Sequence, residues 1–268
     1  MTVRVVKLPP AIELRDLRLP VPGSQDVLDL VVWPGELLML TGQPRSGRSA
    51  LLNVLGLLDR PASGQYLLNG ADTATLRDRD RSALRGRQIG IVFQRRMVLP
   101  TRSVLDNVML PLRYSGMRRR QRATVAAQSL DRVGLAEQSH LMAWQLSAGE
   151  LALCAIARAL ATQPSLLLCD DPTAGLDQSV ATQVIGLLAG LHREGKTVLS
   201  ATAEQLAAAY SSRSVQLGPA PTTSLSLTRR LPGLAGPPGP PGPPLGPAGQ
   251  SEPPGPAELT DSGAGSLP

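Results

Sequence analysis

Apolar and polar residues roughly alternate through Ile12–Leu19 and Val27–Trp33, and both segments read as strands of a small antiparallel sheet. Pro34-Gly35 then turns the chain into a third strand, Glu36–Leu40, and Ser49–Leu55 reads as helix. Gly64–Leu68 predicts another strand, Ala74–Arg87 a charged helix and Ile89–Gln94 a short buried strand. Residues 95–161 read as mostly helical, with Gly134 as a helix stop after Ser129–Val133. Leu166–Asp170 and Thr197–Thr202 are largely apolar or β-branched runs, as central parallel strands are. The helix Val180–Glu194 between them makes a βαβ crossover, and Ser214–Leu217 is the last strand.

After Leu217 the pattern breaks. Gly236–Pro244 is a run of collagen-like triplets that Leu245 interrupts, too short for a triple helix on its own. The expectation is one α/β domain over residues 1–217, with its helical part at about 95–161, and a disordered Pro/Gly-rich tail over 218–268.

The net charge of +6 comes almost wholly from arginine, since Lys7 and Lys196 are the only lysines. The arginines are scattered and aromatics make up 2% of the chain, which argues against a nucleic-acid partner. One dense cluster, Arg118-Arg-Arg120 with Arg122, reads either as a solvated helix face or as a contact for anionic lipid headgroups or an acidic helix. Cys154 and Cys169 fall in predicted core elements, as buried thiols of a reducing compartment do. Met1–Pro10 has no apolar stretch of a secretory signal, and no run approaches the roughly 20 apolar residues of a membrane span.

Three segments carry chemistry. Gly42-Gln-Pro-Arg-Ser-Gly47-Arg48-Ser49 has the spacing of a phosphate-binding loop between a strand and a helix, with arginine in the lysine position. Glycines there let main-chain N–H groups turn inward around a polyphosphate, and the following helix adds its positive end. Leu166–Asp170 with Asp171 and Pro172 is an apolar strand ending in an acidic pair, a Walker B pattern. Asp-Asp-Pro could also simply cap a helix. Gln145–Glu150 opens a helical run, and Ser147 followed by Glu150 three residues later is also an ordinary capping box.

In this order and at these separations, the segments resemble the ATP-binding cassette family, the nucleotide-hydrolysing subunits of ABC transporters. Leu146-Ser-Ala-Gly-Glu150 resembles the family signature, Ile91–Gln94 its Q-loop and Ala174–Asp177 its D-loop. The segments Leu58–Gly70 and Leu99–Val108 are similar to the lipoprotein-releasing and macrolide-export branch. The resemblance implies a P-loop NTPase (RecA-like) α/β core with a small antiparallel β subdomain and an inserted helical subdomain.

It further implies that Gly42, Gln43, Pro44, Arg45, Ser46, Gly47, Arg48, Ser49, Ala50 and Gln94 surround ATP, and that Ser49, Gln94 and Asp170 hold Mg²⁺. Asp171 would be the catalytic base. Ser147, Ala148, Gly149 and Glu150 would face the nucleotide of a second ABC ATPase subunit, identical or different. The partners implied are that subunit and a transmembrane permease subunit, with the chain in the cytoplasm, peripheral on the inner face of the plasma membrane.

The chain departs from the family pattern on its nucleotide face. Arg48 stands for lysine, Asp171 for glutamate, Ala203 for the switch histidine, Ala148 for a signature glycine and Leu151-Ala-Leu153 for a polar run. No aromatic lies in Arg15–Gly23, where the family stacks one on adenine. The expectation is therefore a subunit that binds ATP but hydrolyses it weakly. A fully competent ATPase and a non-catalytic interaction module that keeps the fold are the alternatives.

Overall fold

The computed structural model describes residues 8–21, 26–43, 46–202 and 211–218. All of them fall in the first of the chain's two units, Met1–Arg230; the second, Leu231–Pro268, lies outside the described residues, as does the whole Pro/Gly-rich tail from 219 on.

Two sheets organise the described part. Strands β1 (Ile12–Arg18), β2 (Val27–Val32), β4 (Ser63–Leu68) and β5 (Ala71–Asp72) form an antiparallel sheet in the order β2-β1-β4-β5. Strands β3 (Leu37–Thr41), β6 (Ile89–Val92), β7 (Leu166–Asp170), β8 (Thr197–Ala201) and β9 (Arg213–Gln216) form a parallel sheet in the order β6-β7-β8-β3-β9.

Strands β3 and β8 are wholly buried and β7 nearly so, because both faces of the sheet are covered there. Leu38 and Leu40 of β3 pack into one core with the antiparallel sheet and helix α1 (Arg48–Leu55). Leu37 and Met39 face the other, with helices α3 (Val104–Met109), α4 (Arg119–Arg132), α5 (Ala148–Leu160) and α6 (Gln178–Arg193). Helix α6 joins β7 to its parallel neighbour β8, the expected crossover. Cys154 and Cys169 are both buried and free, and burial pushes the Cys154 thiol up to about 11.

Some boundaries differ from the sequence reading. Helix α2 runs Asp78–Gln88 rather than from Ala74. Asp72 Oδ1 accepts from the Ala74 N–H at 2.8 Å and the Thr73 hydroxyl donates to the Tyr66 carbonyl at 2.9 Å, which holds the preceding residues as a turn. The stretch from Gln94 to Ser103 is irregular, with turns and with Arg96 and Met97 at positive φ, and the mostly helical part that follows consists of α3, α4 and α5 with 3₁₀ turns at Pro111–Tyr114, Glu137–His140 and Ala143–Gln145. Helix α4 ends at Arg132, just before Gly134 at φ +77°.

Candidate functional site

Strands β3, β6, β7 and β8 run parallel and end at the same edge of the sheet, the carboxyl edge where open α/β sheets build their sites. The phosphate-loop segment begins where β3 ends. Gly42 sits at φ +144°, and a side chain there would run into the carbonyl oxygen of Leu217, so only glycine fits. Gly47 is the N-cap of α1 at φ +86°, also a glycine conformation. Between them the Ser46 N–H donates to the Gln43 carbonyl at 3.1 Å. Pro44 and Arg45 lie outside the described residues. The Ser46 hydroxyl is buried with no hydrogen-bond partner, a group that a bound anion would satisfy.

Arg48, Ser49 and Ala50 form the first turn of α1. Ser49 is exposed, but Arg48 turns away across the sheet edge. Its Nη1 donates to the carbonyl oxygen of Thr202, just past β8, at 3.1 Å. Thr202 itself is fully buried, and its hydroxyl has no partner.

Asp170 ends β7 opposite Ala201. Asp171 follows in the left-handed region at φ +46°, with its N–H donating to the Ala201 carbonyl at 2.9 Å. Burial pushes the Asp171 carboxyl above the usual carboxylate range; the Arg48 guanidinium opposes this and the neighbouring Asp170 adds to it. The acidic pair does not cap a helix. That role at α6 belongs to Asp177, which accepts from the N–H groups of Ser179 and Val180, each at 3.0 Å.

Gln94 is exposed in the turn after β6. The oxygen donors proposed for Mg²⁺, from Ser49, Gln94 and Asp170, are hard ligands of the kind that ion takes. Among the described residues no group of three or more His, Cys, Asp or Glu could hold a metal.

The signature segment forms a separate corner. Ser147 caps α5, accepting from the Glu150 N–H at 3.3 Å, while Glu150 Oε2 accepts from the Ser147 N–H at 2.8 Å. Among the described residues, the side-chain hydrogen bonds of Ser147 and Glu150 stay within this box. Ala148 is exposed in ordinary helical backbone, so its methyl group meets no demand for positive φ. Gly149 faces Val180 of α6, where a methyl group would stand 2.7 Å from Cγ1.

Sequence reasoning passed over three residues that tie these loops together. Arg96 Nη2 donates to the Ala174 carbonyl at 2.6 Å, joining the segment after β6 to the segment after β7. Arg158 of α5 donates to the carbonyls of Met97 at 2.7 Å and Arg96 at 2.8 Å. Thr202 receives Arg48. All three contacts end on backbone carbonyls far away in sequence, so no motif announces them. Ala203 lies outside the described residues.

Comparison with known proteins agrees with this arrangement. The ABC transporter family profile matches residues 26–174. The chain is 41% identical over 212 residues to the macrolide export ATP-binding/permease protein MacB of Rhodopseudomonas palustris, covering 77% of this chain and 32% of that protein. It is 37% identical over 190 residues to the uncharacterized ABC transporter ATP-binding protein YknY of Bacillus subtilis, covering 71% of this chain and 83% of that one. Among solved structures it resembles the ATP-binding cassette MJ0796 in a dimeric post-hydrolysis state bound to ADP and Pi, with a TM-score of 0.71 and 30% identity over 77% of this chain and 94% of that one.

A cassette with two-faced parallel core, antiparallel subdomain and helical insertion is thus the class of protein the fold defines. This chain belongs to the ABC transporter family, and within it matches ATP-binding domains. It spans about a third of the length of the macrolide export relative. Among the described residues no helix is long and apolar enough to cross a membrane.

Proposed function

We propose that this chain is the ATP-binding subunit of an ABC transporter whose own site binds Mg-ATP and hydrolyses it poorly. It acts with a second ABC ATPase subunit and powers or regulates transport through a permease carried elsewhere than in these 268 residues. That places it in the cytoplasm, against the inner face of the plasma membrane.

Nucleotide binding is supported by the glycines at Gly42 and Gly47 and by the unpartnered Ser46 hydroxyl. ADP and Pi in the similar cassette point to the same ligand class. Dimers of similar cassettes and the ATP-binding/permease name of the macrolide export relative support the two protein partners.

Weak hydrolysis rests on one observation, the Arg48 guanidinium bound to the Thr202 carbonyl. A lysine ammonium is a compact point charge with three rotatable donors. A guanidinium is planar and sits on a longer reach. Here it reaches the end of β8, where a hydrogen bond commits it to the Thr202 carbonyl. Asp171 is also one methylene shorter than glutamate, which leaves an attacking water about 1 Å off line, and such a misplacement costs roughly 10²-fold.

One feature favours the competent-ATPase reading instead. The Asp171 carboxyl is raised by burial, and a more basic carboxylate is a better proton acceptor. Calorimetry with Mg-ATP together with steady-state turnover separates the readings. Heat of binding with little turnover supports the proposal, and ordinary turnover supports the competent enzyme. No heat at millimolar Mg-ATP leaves only the interaction module.

A further inference from the structure

The arginines are spread along the chain, but their uncompensated charge is not. Residues 95–130 hold eight arginines against one carboxylate, Asp106, a net +7 where the whole chain carries +6. Elsewhere acids and bases cancel to within one unit.

Five of these arginines, Arg113, Arg118, Arg119, Arg120 and Arg122, fall in one short stretch. The 3₁₀ turn Pro111–Tyr114 leads through Ser115–Arg118 into α4, and residues 113–121 are all exposed. Among the described residues no carboxylate pairs with Arg113, Arg118, Arg119, Arg120 or Arg122; the α4 arginine that has a partner is Arg132, at the far end, with Glu194. The first turn of α4 contains no acidic residue, so its free N–H groups and the guanidiniums project the same positive field. Within this basic rim Tyr114 is 89% exposed and Met117 39%.

We propose that residues 113–122 form a docking surface for an anionic phospholipid bilayer, used independently of nucleotide binding. Arginines attract anionic headgroups, and their stems lie along the apolar boundary. A tyrosine ring settles at headgroup depth, with its hydroxyl in water and its ring in the interface. A folded acidic partner fits less well. A stable protein interface needs a complementary surface of about 1,000 Å² or more, whereas this is one short turn and the first turn of one helix. A fluid headgroup layer requires no matching shape.

The test is co-sedimentation of the full chain with vesicles of phosphatidylcholine alone and of phosphatidylcholine mixed with phosphatidylglycerol. It is run at physiological ionic strength, where screening sets in beyond about 8 Å. The chain should bind the mixed vesicles and not the neutral ones. Arg118→Glu, Arg119→Glu and Arg120→Glu together should weaken binding at least about 100-fold. Tyr114→Ala alone should weaken it several-fold.

A control with the same charge change on α2, at the exposed Arg77, Arg79 and Arg87, should leave binding near that of the wild type. Circular dichroism checks that each variant is folded. Equal losses in the two triples would overturn the proposal, because binding would then follow net charge and not this surface. It would also be overturned if mixed vesicles fail to bind while an acidic peptide does.

Discussion

At the start of α5, Ala148 occupies a position where the ABC resemblance has glycine, yet its backbone is ordinary helix and the Ser147–Glu150 box closes around it. At the start of α1, Arg48 replaces lysine, and its head group leaves the loop for the Thr202 carbonyl. The two corners answer substitution differently because different atoms do the work. Around Ser147 the proposed recognition surface is the capping hydroxyl and the helix N–H groups, and a neighbouring methyl group leaves them in place. At Arg48 the side-chain charge is itself the working part, so a new side chain moves it. On the proposed reading the signature corner is the sounder half, offered to a partner's nucleotide, and the chain's own phosphate loop is the compromised half.

The largest expected effect separates the halves directly. In a mixed dimer with a cassette that keeps the lysine, glutamate and histidine, Ser147→Arg should lower ATPase activity at least about 10²-fold, as loss of an essential oxyanion donor does. Asp171→Asn should leave that activity nearly unchanged. The reverse pattern in a coupled ATPase assay would make Asp171 a working base.

Repair of the compromised half should require several changes together. Asp171→Glu alone should change turnover little. Arg48→Lys, Asp171→Glu and Ala203→His combined should recover more than the product of the single effects, because groups acting on one reaction centre are non-additive. Full recovery from Asp171→Glu alone would remove Arg48 from the account.

A stability comparison sharpens the signature half. Gly149→Ala sets a methyl group 2.7 Å from Val180 Cγ1 and should destabilise by about 1–3 kcal/mol in denaturant titration. Ala148→Gly restores the family residue at the first helical position rather than the interior, and should cost less than about 0.5 kcal/mol. It should gain no ATPase activity in the mixed dimer.

The smallest effect concerns pH. Burial raises the Asp171 carboxyl in the fold above its unfolded value, so the fold holds that proton more tightly. The contribution to stability is present below the unfolded value and is lost as pH rises through the folded one. Asp171→Asn should flatten the stability curve across that acid window and raise Tm at neutral pH. A steeper curve in the variant would mean that Asp171 is stabilised as a carboxylate.

Elements whose pattern is local were readable. Leu166–Asp170 was bounded to the residue, because an apolar run between Ser165 and an acidic pair has few other uses. Charge content alone starts helix α2 at Ala74, but the Asp72 and Thr73 side chains hold a turn there, and Asp78 and Asp80 mark the true first turn. Asp177, read as part of the D-loop, also proved to be the cap that begins α6 before Val180. The motif residues could be named from spacing. What links them could not, because Arg48 to Thr202, Arg96 to Ala174 and Arg158 to Met97 depend on side-chain reach across folded loops.

The central claim is that this chain's own site holds ATP without turning it over at an enzyme's pace. The most direct measurement is steady-state phosphate release by the purified full chain at saturating Mg-ATP, with binding checked by calorimetry in the same buffer. The account predicts a dissociation constant in the high micromolar to millimolar range and turnover near or below roughly 10⁻² s⁻¹. Turnover near about 1 s⁻¹, an ordinary enzyme rate, would contradict it.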